Sequence, residues 1–132
     1  MLLLVIGFAG LLVVLVAVVV DVSAVVLAKR AVASAADGAA ITAAQALDDD
    51  AVYAGRLSSQ LPLDPVLASS RVARYQTQVA ASQPGLRLTV RVDGRTAAVR
   101  ASRTLRLPLR VPGGSGSIEV TAEASARAPT LP

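Results

Sequence analysis

The chain opens with an unbroken apolar run, Leu2 to Val20, that contains no charged residue and no proline. A helix needs about 20 mainly apolar residues to cross the ~30 Å hydrocarbon layer of a bilayer. The run meets this requirement, and its weak helix formers are Gly7 and Gly10. The pattern predicts a membrane-spanning helix, and we expect Leu2, Leu12 and Val20 to act as its membrane anchor.

An alanine-rich segment follows the apolar run and extends the predicted helix. Between Ala28 and Ala46, ten of nineteen residues are alanine, the strongest helix former. A single helix to Leu47 would be about 70 Å long at 1.5 Å per residue. Gly38 is its interior weak point and costs ~1 kcal/mol relative to alanine.

The small side chains of this upper half allow another helix or a sheet to approach closely. The segment is therefore either a plain stalk or a packing surface for sibling helices, and the sequence leaves both open. The residues that we expect to carry helix packing are Ala35, Asp37, Ala39 and Ala43.

A second helix is predicted at about residues 65–82. Asp64 is a good N-cap, and Pro65 suits the first helical position. The sequence Gln83-Pro84-Gly85 ends the helix.

From Leu86 onward the hydrophobic period changes to two, which is typical of half-buried strands. Strands are predicted at about 86–92, 96–111 and 117–126, with Asp93-Gly94 as the first hairpin turn. Arg103 interrupts the alternation of the second strand, so a bulge is expected near it.

These elements predict an α+β architecture. Residues 1–47 would form the transmembrane and projecting helix, and residues 48–132 a small α+β domain. A three-stranded antiparallel sheet with one apolar face needs helices laid across it. The upper half of the first helix and the Asp64-capped helix are the candidates.

Composition argues against an enzyme. Hydrophobic residues make up 54% of the 132 residues but aromatics only 2%, so a thin core of Ala, Val and Leu is expected. The sequence has no histidine and no cysteine, the commonest metal ligands and catalytic bases or nucleophiles. Asp48-Asp49-Asp50 lacks the spacing of a calcium loop. We therefore expect no catalytic residues, no cofactor, no metal and no small-molecule substrate.

The net charge of +4 is unevenly distributed. A 24-residue window with Asp93 as its single acid holds seven of the thirteen Lys and Arg residues: Arg87, Arg91, Arg95, Arg100, Arg103, Arg106 and Arg110. On this face Arg100, Arg106 and Arg110 are candidate anion contacts, for lipid headgroups or acidic envelope polymer. The alternative is a solvated face that keeps the sheet soluble. Nucleic acid is not expected, because no aromatic residues are interleaved for base stacking.

The segment from Val18 to Leu47 resembles the amino-terminal region of TadE/TadG-like proteins of bacterial tight-adherence (Flp) pilus systems, especially the short actinobacterial type. The residues that carry the resemblance are Val20-Asp21-Val22, Lys29-Arg30, Ala35-Ala36-Asp37-Gly38-Ala39-Ala40 and Ala43-Ala44. The resemblance implies a minor pilin-like component or assembly factor whose partners are membrane lipid and other pilin-like or Tad-system proteins. The alternative function is a membrane-tethered basic module that binds anionic polymer or lipid.

The resemblance also implies a single-pass protein of the cytoplasmic membrane with its carboxy-terminal domain outside. Lys29-Arg30 favour the opposite orientation, since basic residues near a membrane end prefer the cytoplasm. A cleaved signal peptide is a further alternative, because small-residue sites follow the run at Val22-Ser23-Ala24 and Ala33-Ser34-Ala35. The run is longer than the usual 7–15 residues of such peptides and has no preceding Lys or Arg.

Overall fold

The computed structural model describes residues 1–47, 62–106 and 116–128 of the chain. Two helices and three strands follow one another in these ranges: α1 (Leu2–Ala44), α2 (Pro65–Val79), β1 (Arg87–Asp93), β2 (Thr96–Arg106) and β3 (Ser117–Arg127). The predicted α+β class, with a long apolar first helix and a three-stranded antiparallel sheet, is confirmed. Predicted positions 107–111 of the second strand and the acidic run Asp48-Asp49-Asp50 lie outside the described residues.

The sheet is an antiparallel meander in the order β1-β2-β3. The β2–β3 register runs without interruption from Thr96 opposite Arg127 to Arg106 opposite Ser117. The expected bulge near Arg103 is therefore wrong. Arg103 stays in register on the apolar side of β2, opposite Val120, because the aliphatic stem of an arginine can be buried while its head reaches outward.

The first hairpin turn is shifted by one residue from the predicted Asp93-Gly94. Asp93 still pairs with Thr96, so the two loop residues are Gly94 and Arg95. Gly94 has a φ of 57° and Arg95 does not have a positive φ, as in a type II′ turn with glycine at its first central position. The glycine supplies the left-handed conformation, and Asp93 remains a strand residue.

Helix α2 begins at its predicted cap. Oδ1 of Asp64 accepts hydrogen bonds from the backbone N–H of Val66 at 2.7 Å and of Leu67 at 3.2 Å. Pro65 occupies the first turn, where its missing N–H leaves no bond unmade. The helix ends at Val79, and the backbone N–H groups of Ser82 and Gln83 close the turn onto the Val79 carbonyl.

The carboxyl end of α1 is tied to the start of α2. Arg71 Nη1 donates to the Gln45 carbonyl at 3.1 Å, and the Asp64 N–H donates to the Ala46 carbonyl at 3.0 Å. Leu47 and Leu63 form an isolated antiparallel bridge. These bonds satisfy carbonyls that a helix end leaves without intrahelical partners.

The core is thin and built mainly from alanine. The apolar face of the sheet packs against the upper half of α1 and against α2, and the largest fully buried side chains of the described chain are Val32 and Val99. Alanine on both sides lets the α1 backbone lie close to the strands. The buried alanines are Ala35, Ala36, Ala39, Ala40, Ala43, Ala44, Ala46, Ala68, Ala97, Ala101 and Ala128.

Candidate membrane and partner surfaces

The amino-terminal half of α1 is exposed on all sides. All but three of the large exposed hydrophobic residues in the described chain lie between Met1 and Leu27; the others are Ile41, Val66 and Ile118. The predicted anchor residues Leu2, Leu12 and Val20 are among those exposed. Burying apolar surface stabilises by about 25 cal/mol per Å². We therefore define residues 2–20, the charge-free part of this exposed stretch, as the apolar segment.

Length and composition make α1 the one described helix that could cross a membrane. The apolar window responsible for this is not buried against the rest of the protein. A core helix of a water-soluble domain would be mostly buried, so the exposed apolar segment indicates association with a membrane.

The predicted packing alanines face the protein's own sheet. Ala35, Ala39 and Ala43 are at most 2% exposed, whereas Asp37 lies on the exposed side of α1. These alanines therefore pack a helix on a sheet within one chain. A helix of another protein could contact the upper half of α1 only on its outer side, near Asp37 and Ile41. Lower down, such a helix could pack along the apolar segment.

Arg100 lies in the middle of the outer sheet face and is already paired with an acid. It stands opposite Glu123 in the register, and its Nε donates to Glu123 Oε1 at 2.6 Å. Both side chains are well exposed, so the pair is worth less than about 1 kcal/mol. An open cavity of about 470 Å³ beside it is also lined by Thr89 and Arg91.

The other predicted anion contacts are not gathered around Arg100. Arg106 is exposed at the far end of β2, opposite Ser117, and about six residues of strand separate it from Arg100. Arg110 lies outside the described residues. The structure thus does not bring the three arginines into a single described site.

Two arginines that were not predicted as anion contacts, Arg87 and Arg103, share a cleft at the start of β1. The cleft has a volume of about 430 Å³ and is lined by Arg87 and Arg103, with Glu119 as its acid. Arg103 Nε is buried and makes no hydrogen bond. The sequence signal for this cleft was Arg103 itself, an arginine at an odd position of β2, where apolar residues face the core. The sequence pattern was interpreted as a bulge instead.

Within the described ranges no three acidic side chains converge to form a potential metal site.

Comparison with protein families gives a match that falls on α1. Residues 1–46 match the family model of putative Flp pilus-assembly TadE/G-like proteins. The resemblance noted in the sequence is confirmed over this stretch. The TadE/G-like segment includes both the apolar segment and the buried alanines of the upper half of α1. A comparison with curated proteins finds no match, and one with solved structures finds none either.

The matched segment links membrane association to pilus assembly. Its lower part is the exposed apolar helix, and its upper part packs on the sheet. Residues 1–46 are thus similar to TadE/G-like pilus-assembly proteins, and the strands β1 to β3 lie beyond the match.

Proposed function

We propose that the chain is a membrane-anchored minor pilin-like component or assembly factor of a Flp/tight-adherence type pilus or a related secretion system. The observation that carries the proposal is the TadE/G-like match over residues 1–46. It coincides with an apolar segment whose side chains are not buried against the rest of the described protein.

The role would be structural rather than enzymatic. In this proposal the apolar segment packs in the bilayer with helices of other pilin-like or Tad-system proteins. Gly7 and Gly10 have no neighbouring atoms within 4 Å of where a Cβ would lie, so a second helix could approach them closely. The sheet domain would contribute contacts outside the membrane.

The assembly role is tested by replacing the apolar segment. Deletion of the gene should abolish pilus or secretion-system assembly, and the wild-type chain should restore it. A chain in which residues 2–20 are exchanged for a generic leucine-alanine membrane helix should stay in the membrane fraction but lose co-purification with Tad-system proteins. Full restoration of assembly by this exchanged chain would contradict the proposed packing with partner helices. It would show that the segment serves only to anchor the protein in the membrane.

The membrane orientation is part of the same proposal. We place the sheet domain on the extracytoplasmic side of the cytoplasmic membrane, with α1 crossing once. An alkaline phosphatase fused after Pro132 should then be active in cells. An inactive phosphatase together with an active cytoplasmic reporter at the same position would reverse the orientation, as the positions of Lys29 and Arg30 favour.

The alternative, a basic binding module centred on Arg100, Arg106 and Arg110, has weaker support. Arg100 is neutralised by Glu123, and Arg106 lies at a different end of the strand. If the alternative holds, reversing the charge of Arg100, Arg106 and Arg110 should abolish binding of anionic polymer or lipid while assembly survives.

A further inference from the structure

The packing clusters show how α1 lies along the sheet. Val32 packs in the same cluster as Ala101, and Ala43 packs in the same cluster as Ala97. The rise between the two helix positions is about 16 Å and that between the two strand positions about 13 Å. These similar rises mean that α1 and β2 run nearly side by side, with β2 approaching the apolar segment as its residue numbers increase.

This alignment determines how far the arginines at the carboxyl end of β2 lie below Val32, measured along the axis of α1. Arg103 lies two residues beyond Ala101, about 7 Å further toward the apolar segment, and Arg106 lies about 17 Å further. These rises correspond to about five and eleven residues of helix below Val32. Arg103 therefore stands near the height of Leu27, just below Lys29, and Arg106 near that of Asp21, where the charge-free run ends.

The same end of the sheet combines positive charge with an exposed apolar side chain. Lys29 and Arg30 are exposed on α1, and Arg87 shares the cleft with Arg103. Ile118, opposite Leu105 in the register, is 41% exposed. We call this set the lower edge; it comprises Lys29, Arg30, Arg87, Arg103, Arg106 and Ile118.

The acids near the lower edge do not balance its charge. Asp21 and Glu119 are the acidic residues that the described chain places at these heights, against five basic residues. Arg103 Nε lacks a hydrogen-bond partner although it is buried. Arginine matches phosphate oxygens with its planar fork of N–H donors, so an anionic phosphate group suits this edge.

The position of the lower edge favours lipid headgroups of the bilayer as the anions that bind to it. If residues 2–20 fill the hydrocarbon layer, the headgroup region extends for about 5–8 Å beyond them. Arg106 and Ile118 then fall within or beside that region. At this depth a basic residue beside an apolar one combines the two attractions of interfacial binding. The other basic residues of the lower edge stand about 10–15 Å beyond the hydrocarbon layer, which is within about one Debye length of the headgroups.

We propose that the lower edge binds the phosphate groups of anionic lipids in the membrane that holds α1. This inference rests on the proposed membrane anchoring but is independent of any pilus partner. The bound lipids hold the sheet domain against the bilayer surface and set its tilt around the continuous helix.

The full chain in lipid nanodiscs offers a direct test, because it has no cysteine of its own. A fluorophore on Ile118→Cys should be quenched more strongly by headgroup-labelled lipid in discs containing phosphatidylglycerol than in discs of phosphatidylcholine alone. Arg103→Gln with Arg106→Gln should remove this difference. The matched control is Arg91→Gln with Arg127→Gln, two exposed arginines at the opposite end of the sheet, which should retain it.

Affinity gives a second readout in detergent micelles. Binding of short-chain phosphatidylglycerol should weaken about tenfold or more in the Arg103 and Arg106 double variant, since each basic residue near a membrane surface contributes a several-fold factor. The exposed Arg106→Gln alone should weaken it several-fold, with circular dichroism unchanged. Inorganic phosphate should compete poorly.

The outcomes separate this inference from the anchoring on which it rests. A chain that enters neither kind of disc contradicts both. A chain that enters both kinds without preferring phosphatidylglycerol, or whose control variant loses the preference equally, overturns the lipid site alone. Competition by inorganic phosphate as strong as that by lipid would reveal a soluble-anion site and also overturn it.

Discussion

The ring of Tyr75 in α2 lies directly against the backbone of Gly38 in α1. A Cβ atom at position 38 would come within 2.9 Å of Tyr75 Cζ and closer still to the hydroxyl oxygen. The glycine that looked like a weak point of a long helix is thus the place where the second helix crosses it. The helix accepts about 1 kcal/mol of lower propensity there because any side chain would displace Tyr75.

Replacing Gly38 with alanine should lower the free energy of unfolding despite the higher helix propensity of alanine. Overpacking costs about 1–3 kcal/mol, which over most of that range exceeds the propensity gain of about 1 kcal/mol. Thermal unfolding of the full chain in detergent measures this change in the free energy of unfolding. Gly7→Ala is the matched control, since nothing lies within 4 Å of that position, and it should not destabilise the protein.

A double variant checks that Tyr75 is the cause. Gly38→Ala should cost much less in a Tyr75→Ala background than in the wild type, because the obstructing ring is gone. Strict additivity of the two substitutions would contradict the contact.

The Asp64 cap should contribute measurably to stability. Its carboxylate accepts hydrogen bonds from two backbone N–H groups that have no partner within α2 itself. Asp64→Ala should therefore lower the free energy of unfolding by about 1 kcal/mol. Asp64→Asn keeps the acceptor and should stay close to the wild type. Equal losses for both variants would show that charge, rather than capping, is what matters.

The alanines of α1 should be intolerant of larger or charged residues for a reason internal to the chain. Ala39→Leu should overpack the core by about 1–3 kcal/mol, and Ala39→Glu should prevent folding by burying an unpaired charge. Asp37→Ala, on the exposed side, should be tolerated. Proteolysis in detergent distinguishes these variants. Lost co-purification of an Ala39 variant would therefore report unfolding unless the fold is checked first.

The Arg100–Glu123 pair should matter little. Double-variant analysis with Arg100→Gln and Glu123→Gln should give a coupling below about 1 kcal/mol that shrinks with added salt, because both side chains are exposed. A large, salt-independent coupling would mean that the outer face is covered by something in the assembled protein.

The two possible cleavage positions should have opposite consequences for the domain. A chain beginning at Val25 keeps every buried residue of the described core, whereas one beginning at Ala36 lacks Val32 and Ala35. A fully buried valine alone is worth about 1.5–3 kcal/mol. Circular dichroism should show a folded protein for the first chain and a largely unfolded one for the second. Equal folding would show that the upper part of α1 is dispensable.

Much of the local structure was readable from the sequence because its causes are local. The apolar run of α1, the Asp64-Pro65 start of α2 and the alternating strands each carry their own signal. The turn was displaced by one residue because Asp93-Gly94 and Gly94-Arg95 both place glycine in a two-residue loop, and strand pairing decides between them. The role of Arg103 was missed because a charged residue on an apolar face resembles an interruption until its neighbours are known.

The sequence by itself determined that one long helix begins as a membrane-length apolar segment and that a capped helix and three amphipathic strands follow it. These features depend on hydrogen bonding and hydrophobic periodicity within short stretches of chain. Only the tertiary structure decided that the alanines of α1 pack in the protein's own core, that Gly38 receives Tyr75, and that Arg103 shares a cleft with Arg87. Those relationships join residues dozens of positions apart, and alanine is small enough to pack against a helix, a sheet or lipid, so its partner is set by the assembled fold.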